Sequence, residues 1–240
     1  MGMTVFGIIL ASQLIPSLLV ASPDPASRWD LLYPKIRDGL AVREEALKEM
    51  RELEILLKRS YGRAENREGE EKSHFPLRGY TYHSIGGKGG EGYKPGGYDF
   101  FDGNRHKGHP GHDIFIQDKD QDGLDDRTGK PVEVLAMSSG VVVSVHSGWQ
   151  PDAPIRGGNY LWVFNPGKGR YYYYAHLSYI QVRVAQWVSA GERLGTVGRT
   201  GLNAYPKRSP THLHFSVFQS VNGYPQPIDP YPDLVRAYPE

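Results

Sequence analysis

His212-Leu213-His214-Phe215-Ser216-Val217 carries its apolar residues at every second position, with Phe218 following. Leu213, Phe215 and Val217 fall on one face and the two imidazoles on the other, the period-two pattern of a half-buried strand. A strand rises about 3.3 Å per residue, so the two histidine Cα atoms stand about 6.6 Å apart, near enough to serve one site.

Working outward, the same kind of run recurs at 114–116, 132–135, 140–145, 159–164, 171–174, 181–184 and 192–197. Asn159 to Phe164 and Tyr171 to Tyr174 flank Pro166-Gly167-Lys168-Gly169 and read as a hairpin. Short strands separated by glycine-bearing turns predict an antiparallel, β-dominated domain. Ahead of it, Gly86-Gly87, Gly89-Gly90 and Gly96-Gly97 punctuate a loop-rich lead-in ending at Phe100-Phe101-Asp102-Gly103-Asn104.

The N-terminal quarter is different. Residues 4–21 are almost wholly apolar, and 1–22 reads as an export signal despite having no Lys or Arg ahead of the apolar run. The alternatives are an uncleaved membrane anchor, which Gln13 and Pro16 disfavour, or a start site upstream of the mature chain. Residues 23–73 read as a proline-bearing spacer (23–34), an amphipathic helix (35–63) and a charged linker (64–72). The helix has Ile36, Leu40, Leu47, Met50, Leu53 and Leu57 on one stripe, read as a packing face. Residues 74–240 form the main domain.

Composition narrows the chemistry. A formal net charge of +1 gives no reason to expect a nucleic-acid partner. The absence of cysteine excludes disulfides and a thiolate metal site. What remains is a set of imidazoles and one well-placed carboxylate. In His109-Pro110-Gly111-His112-Asp113 the proline and glycine argue against a helix, and a straight strand would hold His109 and Asp113 about 13 Å apart. A sharp turn at Gly111 would bring them together. His176 follows four tyrosines, and alternation puts it on one face with Tyr172 and Tyr174. Alone it reads as a core histidine; beside the other motifs it is the natural candidate for a non-ligand imidazole near the metal.

His109-x-Gly111-x-Asp113, Tyr174-x-His176-Leu177, Gly198-x-Thr200-Gly201 and His212-Leu213-His214-Phe215 together resemble the signature of the lysostaphin-type (LytM-like) zinc metallopeptidases, over about 103–218. The resemblance implies a mainly β, antiparallel lysostaphin-like (duplicated hybrid motif) peptidase domain with an N-terminal helical extension. It implies an exported zinc endopeptidase acting on peptidoglycan stem peptides or cross-links, in the periplasm or in the extracellular space and cell wall. His109, Asp113 and His214 would bind one zinc, and His176 and His212 would be the catalytic pair, one taking a proton from water and the other serving the oxyanion or leaving amine. The rival reading is a non-catalytic wall-binding or hydrolase-activating module of the same fold. A membrane would be engaged only through an uncleaved signal.

His112, where the family usually has an apolar residue, is expected to face away from the metal. The segment 117–130 is an insertion relative to the compact family core. Tyr98 and Tyr172 are candidates for the tyrosine some members place opposite the metal. Within the insertion, Asp118, Asp120, Asp122 and Asp126 copy the first half of a calcium loop, but position 12 is Gly129 rather than Glu; calcium or a bare acidic hairpin tip are the two readings. Arg199 or Arg208 could pair a peptide carboxylate, or simply stabilise a long turn.

Overall fold

The computed structural model describes residues 23–62 and 72–239; the expected export segment and nearly all of the charged linker lie outside them. Among the described residues no helix is long and apolar enough to cross a membrane.

The expected spacer is in fact a helix, α1 (Pro25–Arg37). Asp24 caps it by accepting from Ala26 N at 2.8 Å, and Pro25 sits in the first turn, where a missing N–H costs nothing. The helix expected over 35–63 is therefore two pieces. The chain breaks at Asp38 and Gly39, the latter at φ +70°, before α2 (Arg43–Tyr61) begins. Leu40, assigned to the apolar stripe from its spacing, lies in this break and is 76% exposed. Ala46, Met50, Leu53 and Leu57 of α2 are buried, as is Trp29 of α1.

The β-domain comprises β1 (His112–Phe115), β2 (Glu133–Leu135), β3 (Gly140–His146), β4 (Tyr160–Asn165), β5 (Arg170–Ala175), β6 (Leu177–Ile180), β7 (Trp187–Val188), β8 (Arg193–Val197), β9 (His212–Val221) and β10 (Tyr224–Ile228), closed by a short helix α3 (Tyr231–Arg236). All strand pairings are antiparallel. The larger sheet runs β1-β9-β5-β4-β3-β7, with β10 also on β9, and a smaller sheet runs β2-β8-β6. The strand expected at 181–184 is absent; β6, just before it, takes the pairing with β8 instead.

Alternation along β9 and β5 sorts their side chains into two cores. Leu213, Phe215, Val217, Tyr172 and Tyr174 point between the sheets and meet Val134, Leu194 and Val197. On the other face, Phe218, Tyr171, Trp162 and Phe164 pack under Trp29, Met50, Leu53 and Leu57 of the helical hairpin. Each such large apolar side chain contributes roughly 1.5–3 kcal/mol by leaving water. The helices cover one end of that face. His212 and His214, on the same face of β9, lie beyond them at the other end.

Candidate metal centre

Register places the cluster. Asp113 on β1 lies opposite His214 on β9, and His214 lies opposite Ala175 on β5. His109, just ahead of β1, is held by a reciprocal backbone pair with Lys94, at 2.7 and 2.8 Å. Its ring comes within reach of Asp113 as the turn argument requires, and the chain bends at Gly111. Its φ is not positive; it packs against the Phe215 carbonyl and Ser216 hydroxyl, where a side chain would not fit.

His109 Nε2 is 3.2 Å from Asp113 Oδ1 and 3.1 Å from His214 Nδ1, and His214 Nδ1 is 3.0 Å from Asp113 Oδ1. A tetrahedral zinc with bonds of about 2.0–2.2 Å holds its donor atoms roughly 3.3–3.5 Å apart, so the observed triangle is a few tenths of an ångström tight. The donor chemistry fits as well. His109 Nδ1 lies 2.8 Å from the Gly92 carbonyl, which can only accept, so Nδ1 carries the proton and Nε2 keeps its lone pair. His214 Nε2 meets the Ser216 hydroxyl at 2.9 Å, leaving Nδ1 to face the triangle. Burial would raise the Asp113 pKa, but the adjoining His109 and His214 imidazoles outweigh this and hold it well below the usual carboxylate range. These three residues could hold a metal ion.

His176 and His212 stand beside them, ring centroids 4.9 Å apart. His176 does not share a face with Tyr172 and Tyr174, contrary to the alternation argument. It follows the end of β5 at φ +66°, and this left-handed step swings the ring out of the core and into the cleft. Its Nδ1–H donates to Thr200 O at 2.8 Å, and that of His212 donates to Pro210 O at 2.7 Å. Both rings thus present a bare Nε2 to the cleft; that of His212 lies 3.7 Å from Asp113 Oδ1. Burial, reinforced by His212, pushes the His176 pKa down to about 3, so it is a neutral base at physiological pH.

The cleft, about 130 Å³, is lined by these five residues with His106, Arg156, Gly157, Tyr173 and Asn203. Several expectations change here. Tyr172 is buried between the sheets and Tyr98 lines an adjoining pocket; the cleft tyrosine is Tyr173. Arg199 is consumed by the Ser209, Tyr205 and Pro206 carbonyls and the Thr211 hydroxyl, and Arg208 is exposed and does not line the cleft. His112 does face away: it is fully buried, with Nε2 3.0 Å from Asp229 Oδ1. Burial, then the Arg156 charge, push the His106 pKa down to about 4.

Oxygens of Asp118, Asp120 and Asp126 approach one another, as a calcium reading requires, while Asp122 stands outside the group and accepts from Leu124 N. Asp118 is already engaged by the backbone N–H groups of Asp122 and Gly123 and by the Thr211 hydroxyl. The insertion braces the start of β9, and calcium gains no support beyond the acidity of the loop.

Two imidazoles and a carboxylate, converging on one point with two more imidazoles beside them, define a candidate metallohydrolase centre on an antiparallel sheet. Residues 119–230 match Peptidase family M23. His176, His212 and His214 fall inside the matched residues; His109 and Asp113 precede them. No curated protein matches the chain. Among solved structures, a zinc-containing peptidase from Vibrio cholerae is 22% identical (TM-score 0.41, covering 71% of this chain and 41% of that one). The catalytic domain of lysostaphin from Staphylococcus simulans is 27% identical (TM-score 0.37, 69% and 90%). A chain assigned as a glycyl-glycine endopeptidase, lytM, from Ruminococcus gnavus is 20% identical (TM-score 0.46, 91% of each). The chain therefore spans less than half of the Vibrio protein's length.

Proposed function

We propose that this chain is an exported zinc-dependent endopeptidase that hydrolyses peptide bonds in peptidoglycan stem peptides or cross-links. The observation that carries the reading is the convergence of His109 Nε2, Asp113 Oδ1 and His214 Nδ1 within 3.2 Å of one another. Three acceptors that close repel unless a cation lies between them. His109, Asp113 and His214 would hold the zinc, their outer atoms oriented by Gly92 O and Ser216 Oγ. Zinc bound there supplies a Lewis acid that polarises a peptide carbonyl and acidifies water.

The protein's own groups do the rest. The Nε2 atoms of His176 and His212, both turned to the cleft, accept and return the proton that moves from water to the leaving amine. Thr200 O and Pro210 O fix both tautomers, so neither ring must reorient before reaction. The test is digestion of purified peptidoglycan by the zinc-loaded chain, with muropeptide analysis of the products. New amino termini that vanish with chelator and return with zinc support the reading. Binding to the wall without cleavage would favour a non-catalytic module of the same fold.

A further inference from the structure

Among the residues lining the cleft, one charge has no counterpart. Arg156 sits in the loop between β3 and β4, half-buried, on the cleft wall beside Gly157 and His106. A guanidinium carries five N–H donors. One nitrogen, Nη1, donates to His106 O at 2.7 Å, and among the described residues no carboxylate pairs with it. Partial removal of a cation from water is unfavourable when no anion compensates.

The loop is nonetheless built to hold Arg156 in place. Its backbone N–H donates to Asn104 Oδ1, and Gly157 O accepts from His176 N at 2.9 Å. Gly158, at φ +62°, lies so close to Thr200 and Gly201 that no side chain would fit. The same loop that orients the candidate catalytic histidine thus fixes the Arg156 backbone, and His106 O anchors the guanidinium. A rigid, uncompensated arginine at a cleft wall is suited to bidentate recognition of a carboxylate.

We propose that Arg156 binds a carboxylate of the peptide drawn into the cleft, selecting acidic peptides over uncharged, glycine-rich ones. This rests on the peptidase reading above and narrows its substrate class. The residue is a specificity determinant and takes no part in proton transfer.

The test uses cross-linked muropeptides and the same material after carbodiimide coupling to ammonia has turned its carboxylates into carboxamides. The wild-type chain with zinc should cleave the acid form with a kcat/KM about tenfold to a hundredfold above the amide form, the range of a charge-assisted hydrogen bond. Arg156→Gln should bring that ratio to about one, and Arg156→Lys should keep part of it. A parallel titration of metal-free protein with both forms, read by calorimetry, should show the same preference and the same loss. A ratio unchanged in Arg156→Gln, or a wild type without preference in either assay, overturns the proposal. If the wild type cleaves neither form, the peptidase reading falls and the titration alone decides the role of Arg156.

Discussion

The hydroxyl of Tyr173 occupies the space that a side chain on Gly157 would need. Gly157 also hands its carbonyl to His176 N, so this contact couples the cleft tyrosine to the loop that seats a candidate catalytic histidine. Gly157→Ala should displace one or the other, with a stability loss of about 1–3 kcal/mol by overpacking. Chemical denaturation measures it. A neutral substitution would mean that the loop moves freely.

Ser216 was silent in the sequence but meets the far nitrogen of His214 at 2.9 Å. Ser216→Ala should weaken zinc binding about 10- to 100-fold while leaving the fold intact. Competition with a chromogenic chelator reads the affinity, and circular dichroism checks the fold.

Trp29 joins α1 to the sheet. It is 1% exposed, stacks on Tyr33 and Tyr171, and meets Trp162 at 5.6 Å between ring centroids. Trp29→Ala should cost about 3–5 kcal/mol. A loss under 1 kcal/mol, by denaturant titration, would show the helical hairpin to be an independent appendage.

Acid should destabilise the metal-free protein through its buried imidazoles. An unfolded histidine titrates near 6.5, whereas burial holds His106 down to about 4 and His176 to about 3. Below about pH 6.5 the unfolded chain therefore binds more protons than the folded one, so stability falls as pH drops toward 4 and then 3. Their contribution is complete above pH 6.5. Thermal midpoints between pH 7.5 and 4 should show this decline, and His106→Gln should flatten it. An unchanged slope in the variant would remove His106 from the account.

Much of this was legible in the chain. The period-two pattern at His212 to Val217 gave both the strand and the shared face of its histidines, because one face is buried and the register cannot slip. His109 and Asp113 were readable as partners from the Pro-Gly between them. The errors have physical causes. The N-terminal prolines look like a spacer until one sees that Pro25 falls at a helix start, where proline is harmless. Alternation misplaced His176 because a left-handed residue resets the face, and nothing local requires a histidine to adopt it. Arg156, Ser216 and Gly92 were invisible because their roles depend on segments brought together only by folding. Motif neighbours such as Arg199, by contrast, proved to be loop struts.

The central claim is that three side chains from two distant segments share one zinc ion. Metal content per chain, by inductively coupled plasma mass spectrometry after dialysis against zinc, tests it most directly. The account predicts about one zinc in the wild type and in His176→Ala, with little or none in His109→Ala, Asp113→Ala and His214→Ala. Stoichiometric zinc in those three variants, or none in the wild type, would contradict it.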